Sequence, residues 1–145
     1  MIKEIRRRWL LRFPNFEMSE VLSPDGVALV LKTGQIPINQ NAMAKLQAFR
    51  VWLNRPIKVN SDKLKLRGFR SSTENKGIKG AANFSFHLLG MAFDISADGM
   101  STQELFDKAK EFGWGGIGLY DTWVHVDDRI MLLGVPTTWD SRKNK

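Results

Sequence analysis

Met43, Leu46, Phe49 and Leu53 recur three and four residues apart in NQNAMAKLQAFRVWLN, the spacing of one helix face, and an asparagine stands ahead of them as N-cap. Pro56 ends that helix. STQELFDKAKEFG repeats the pattern: Ser101 and Glu104 form a capping box, Leu105, Ala109 and Phe112 make one apolar stripe, and Gly113 stops it. SSTENKG carries the same box at Ser71 and Glu74, with Gly77 closing a brief helix. Residues 2–12 predict a short basic helix before Pro14. A further helical piece precedes the turn signal Pro24-Asp25-Gly26, and VALVLKTG after it predicts a strand or extended segment.

Elsewhere the period is two. In PIKVN, Ile57 and Val59 share a face; in Gly90 to Ile95, Met91, Phe93 and Ile95 point one way and Ala92 and Asp94 the other. GGIGLY and WVHVD, separated by Asp121 and Thr122, predict a β-hairpin whose loop exceeds two residues because the turn pair is not Asn-Gly. RIMLLGV predicts a third strand there and DSRKNK a loose tail. Helices come first and a small, mainly antiparallel sheet last, so the class is α+β, with helices packed on the sheet. At 145 residues, with no internal repeat or linker, a single domain is expected.

Composition narrows the chemistry. Hydrophobic residues at 43% and charged residues at 26% fit a globular chain and exclude a wholly disordered one. There is no cysteine, so any metal must be held by His and carboxylates. Near the N-terminus the apolar run Trp9 to Leu11 is too short for a secretory core or a membrane span, so membrane insertion is not expected and action outside the cytosol would require release by other means. The net charge of +7 favours polyanionic surroundings. Arg6, Arg7 and Arg8 are expected to form a solvated helix face, and no nucleic-acid-binding signature accompanies them. FGWGGIGLY lacks the Lys-Ser or Lys-Thr of a phosphate loop and trails a helix instead of opening one.

The only two histidines lie in strand contexts with an aspartate nearby. His87 stands at the mouth of the strand that carries Asp94 beside the small Ala92. In DTWVHVDDR the valines 124 and 126 face a core, while Trp123, His125 and Asp127 share the other face within two steps of ~6.5–7 Å. An isolated histidine is more often a satisfied structural residue. Here His87, Asp94 and His125 together make a two-His, one-carboxylate set that would give Zn²⁺ three protein ligands and an open fourth position. The same set serves non-haem Fe(II) oxygenases, but their motif places His and carboxylate two apart on one strand, unlike His87 and Asp94, and the chain looks too helical for their barrel.

Three segments carry a resemblance. SFHLLGMAFDI is similar to the Ser-x-His, Gly-x-Ala-x-Asp pattern of the zinc D-Ala-D-Ala carboxypeptidase family, peptidoglycan peptidases sharing their metal core with Hedgehog signalling domains. GFRSSTENKGIKGAANFSFH resembles that family's Gly-Tyr-Arg-Ser segment leading to the first ligand, and GWGGIGLYDTWVHVDDR its Gly-Gly-Ile-Gly, His-Val-Asp ending. The similarity runs from about Asn15 to Trp139, leaving a basic segment 1–14 and the tail 140–145 outside the core. It implies a Hedgehog/DD-peptidase-like fold, zinc ligands at His87, Asp94 and His125, an Arg70 that faces substrate, and a Ser85 that supports the first ligand or contacts substrate. Trp123 is expected to line the same site.

Two departures matter. Many relatives place Glu or Asp three residues before the last ligand, where this chain has Thr122; the expected proton carrier is Asp127, as base or as partner of the ligand, or else Asp121. The chain also inserts Asp62 to Leu66 and has Arg67 where a serine is usual, which adds positive charge suited to an acidic muropeptide. The function these features imply is zinc-dependent hydrolysis of an amide bond in peptidoglycan stem peptides, by a monomeric carboxypeptidase or endopeptidase of the phage-lysin kind. The competing expectation is a non-catalytic virion or wall-binding module that retains the metal.

Overall fold

The computed structural model describes residues 1–59 and 65–144. Four helices come first: α1 (Ile2–Arg12), α2 (Met18–Val21), α3 (Pro24–Thr33) and α4 (Gln40–Leu53). Then follow β1 (Ile57–Val59), α5 (Ser72–Lys76), a 3-10 turn (Phe86–Leu89), β2 (Ala92–Ala97), α6 (Thr102–Phe112), β3 (Gly116–Leu119), β4 (Val124–Asp127), α7 (Ile130–Leu133) and β5 (Thr137–Asp140). The strands form one sheet in the order β1-β2-β4-β3-β5, antiparallel at every pairing except β3 with β5. The architecture is the α+β arrangement that the two periodicities predict.

Capping side chains start the main helices as expected. Asn39 Oδ1 accepts from the Ala42 amide, and Ser71 and Ser101 accept from Glu74 and Glu104. On α4, Met43, Leu46 and Phe49 are fully buried, and they meet Phe93, Ile95, Val124 and Val126 of β2 and β4 in one core. Each such side chain removed from water contributes about 1.5–3 kcal/mol. That packing fixes the pleat, so the alternate residues Asp94, His125 and Asp127 are held on the sheet's other face. Arg6, Arg7 and Arg8 are a solvated face, paired with Glu17 or Glu4 at the surface.

The hairpin loop spans residues 120–123, closed by the Tyr120 amide donating to the Trp123 carbonyl (3.1 Å). Of the expected insertion, Asp62 to Leu64 lie outside the described residues, while Leu66 is buried.

Three expectations are corrected. VALVLKTG is not extended but the body of α3: Ser23 caps its N-terminus, accepting from the Gly26 amide, and Pro24 takes the first helical position, so the turn-like Ser-Pro-Asp is a helix start. RIMLLGV is not a strand. The turn out of β4 is tightened by the Arg129 amide donating to Asp127 Oδ1 (3.0 Å), and Ile130–Leu133 form a single helical turn closed by Gly134 at φ 72°. The strand comes later, at Thr137–Asp140, where the open edge of β3 takes it up: Thr137 N donates to Gly115 O (2.7 Å) and Ser141 N to Leu119 O (2.8 Å). DSRKNK is therefore not a loose tail: Asp140 ends β5, and the amides of Lys143 and Asn144 donate to the Asp121 carboxylate.

Candidate metal centre

Asp94 on β2 lies directly opposite His125 on β4 in the strand register. On the β1 side, the Asp94 amide donates to the Arg67 carbonyl (2.8 Å). His87 reaches the same place from the 3-10 turn, whose first amides Ser85 Oγ helps to satisfy by accepting from His87 N (3.2 Å). Gly90 then swings the chain into β2 through a left-handed conformation (φ 64°), and a Cβ there would strike the Pro37 carbonyl.

Hydrogen bonds fix which ring nitrogens face inward. His87 Nδ1 lies 2.7 Å from the Gly68 carbonyl, an acceptor only, so Nδ1 carries the proton and Nε2 is turned toward Asp94 Oδ1 at 3.4 Å. His125 Nε2 donates to Asp127 Oδ2 (2.7 Å), leaving Nδ1 toward the same Asp94 Oδ1 at 3.1 Å. One ligand atom from each of His87, Asp94 and His125 lies within 4.8 Å of the others, and all three residues are buried. Nitrogen and oxygen lone pairs converging in a buried pocket require positive charge between them, and the outer ring nitrogens are held by a carbonyl and a carboxylate, as metal-ligating histidines are. The donor set fits a divalent cation.

Electrostatics agree. Burial pushes His87 below its ordinary pKa, against the opposing pull of Asp94. Burial alone would raise Asp94, but His87 and His125 outweigh it and hold the carboxyl well below the usual range. For His125 burial disfavours charge, yet Asp127 and Asp94 prevail and raise it to about 9. Asp127 is held at about 2, where its burial is outweighed by His125 and Arg129. Without an ion, a proton on His125 supplies the positive charge that the cluster needs; an ion binding there displaces it.

The surroundings form a cleft of about 820 Å³. Arg70 is buried, with Nε donating to Asn75 Oδ1 (2.9 Å), Nη1 to the Leu66 carbonyl (3.2 Å) and Nη2 to Ser85 Oγ (3.4 Å). Ser85 therefore links Arg70 to the His87 turn. Trp123 stacks on Tyr120 at 4.7 Å and carries the Arg67 guanidinium over its ring at 4.1 Å, while Arg67 Nη1 lies 3.5 Å from Asp94 Oδ2. Among the described lining residues, Arg67, Arg70, Lys79, Arg129 and Lys143 are basic and Asp94 is the single acid.

The two candidate proton carriers are separated. Asp127 is fully buried and both its oxygens are engaged, Oδ1 by the Arg129 amide and Nε, Oδ2 by Arg129 Nη2 and His125. Asp121 is exposed at the hairpin loop, accepting the Lys143 and Asn144 amides. Two residues escaped the sequence reading: Arg129, two positions after Asp127 and so able to fold back on it, and Trp139, whose ring centroid lies 5.2 Å from that of His125.

Fold and site define a class: an α+β protein in which β2, β4 and the 3-10 turn before β2 bring one carboxylate and two imidazoles together as a group that could hold a metal ion. A family model described as Peptidase M15 matches residues 16–127, and the chain belongs to that family, whose members are metal-dependent peptidases. Among curated proteins, none matches the chain. No helix among the described residues is long and apolar enough to cross a membrane.

Proposed function

We propose that the chain hydrolyses an amide bond in the stem peptides of bacterial peptidoglycan, using Zn²⁺ held by His87, Asp94 and His125. The observation that carries this reading is the convergence of those three donors in a cleft whose described charges are five basic residues to one acid. Stem peptides are rich in carboxylates, and a cationic cleft raises their local concentration. When bound, such an ion supplies Lewis acidity toward a peptide carbonyl and lowers the pKa of water to roughly 7.

The remaining steps belong to the chain. Arg70, held rigid by Asn75, Ser85 and the Leu66 carbonyl, orients a carboxylate or carbonyl oxygen of the substrate. Ser85 positions both Arg70 and the His87 turn. Trp123 walls the cleft beside Arg67. Asp127 orients His125 and keeps its Nε2 protonated, so we assign it to positioning and not to proton transfer from water. A phage-type lysin is the setting we propose, its net charge of +7 drawing it to an anionic wall.

A second reading has its own support. Among the described cleft residues Asp94 is the single carboxylate, and Asp127 is committed to Arg129 and His125. A module that keeps the ion and grips the wall without cutting it would look like this. Incubating the protein and zinc with purified sacculi separates the two: new free amino groups, lost on chelation, support hydrolysis, and mass spectrometry of the muropeptides names the bond. Sedimentation with sacculi and no new amino groups supports the module.

A further inference from the structure

The Gly-Gly-Ile-Gly run of β3 does more than permit a hairpin. Gly116 lies opposite Asp127 and Gly118 opposite His125 across β3 and β4, while on β3's other side Gly118 lies beside Trp139 of β5. A Cβ on Gly116 would strike the Asp127 carboxylate and Arg129 Nε; one on Gly118 would come within 2.5 Å of the Trp139 indole. The missing side chains form a window through which an edge-strand tryptophan reaches across β3 to the metal-binding face of β4. There Trp139 lies tilted against His125 and donates Nε1–H to the Tyr120 hydroxyl (3.2 Å). The Arg129 guanidinium stands 4.9 Å from the Trp139 ring centroid and 4.8 Å from that of Phe86.

We propose that Trp139, beyond the family-matched residues 16–127, is a positioning residue of the metal centre, holding Arg129 on Asp127 and thereby fixing the ring of His125. The chain of contacts is continuous. Trp139 and Phe86 shield Arg129 from water, the shielded guanidinium grips both Asp127 oxygens, and Asp127 accepts from His125 Nε2, which aims Nδ1 at Asp94. Removing the indole would admit water to the Arg129–Asp127 pair and loosen the imidazole it orients.

The inference rests on the metal reading above, and the test keeps the two apart. Co²⁺ is titrated into the metal-free protein, reading dissociation constant and d–d absorption for wild type, W139L and W139F. Leu fills apolar volume without an aromatic face, whereas Phe keeps one. W139L is expected to weaken Co²⁺ binding about tenfold and alter the d–d band, as loss of a ligand's outer partner does, with W139F close to wild type. Equal affinities and spectra for all three, or equal losses in both variants, overturn the positioning role. Should W139L fail to fold by circular dichroism, R129Q is read instead: it leaves the indole and removes what the indole holds, so about tenfold weakening supports the route and wild-type affinity overturns it. A wild-type protein that takes up no Co²⁺ overturns the metal reading itself.

Discussion

His125 has both ring nitrogens committed, Nε2 to Asp127 and Nδ1 to the point it shares with Asp94, and this makes its neighbours unequal in what their loss would do. Asp127→Asn keeps an acceptor for His125 but turns an amide group toward the Arg129 guanidinium, donor against donor. Zinc affinity is expected to fall about tenfold to a hundredfold, measured by competition with a chromophoric chelator. Asp121→Asn disturbs the amides of Lys143 and Asn144 and the charge beside Arg142, all at the surface, so zinc affinity and peptide cleavage should match wild type. Loss of cleavage at full zinc affinity would instead make Asp121 the base. That His125 and Asp127 share a face was legible in the sequence because strand alternation is rigid: once Val124 and Val126 face the core, those two must lie on the other side. Arg129 and Trp139 were not, since their roles depend on the turn after β4 and on a pairing partner for β3.

The same division holds for whole elements. α4, α5 and α6 announce themselves by caps and apolar stripes, signals local to a few residues. α3 and α7 are apolar runs that bury few of their side chains. Leu29 and Leu31 of α3 are exposed along with most of α7, so no clean buried stripe betrays either helix. α3 is instead decided by Ser23, whose Oγ accepts from Gly26 N (3.1 Å) and donates to Glu74 Oε1 (2.6 Å). Glu74 also accepts the Ser71 amide (2.8 Å), so one buried hydroxyl joins the starts of α3 and α5, and α5 is the helix that supplies Asn75 to Arg70. Ser23→Ala removes a cap and strips Glu74 of a donor. An unfolding free energy lower by about 1–2 kcal/mol is expected in urea titrations, with zinc affinity unchanged because none of the three donors lies on these helices.

At the scale of the molecule, an ion bound only by the folded chain must stabilise it. With zinc at about 100 times its dissociation constant the gain is about 2.7 kcal/mol, which should raise the thermal midpoint by several degrees, an increase that a chelator reverses and His125→Ala abolishes. Charge acts separately from the ion. Lys79 and Lys143 are exposed at the cleft, away from the three donors in chain and function, and their ammonium groups add to a field that attracts carboxylates before any contact is made. Reversing both to Glu takes the formal net charge from +7 to +3, each substitution removing two. Steering of this kind acts on encounter and is screened over about 8–10 Å at ordinary salt. The double variant should therefore bind sacculi several-fold more weakly at low ionic strength, converge with wild type as salt is added, and keep the wild-type zinc affinity throughout. A salt-independent difference would mean that the two lysines make direct, fixed contacts with the substrate, and no difference at any salt would remove the cleft's basic rim from the account of how the substrate is recruited.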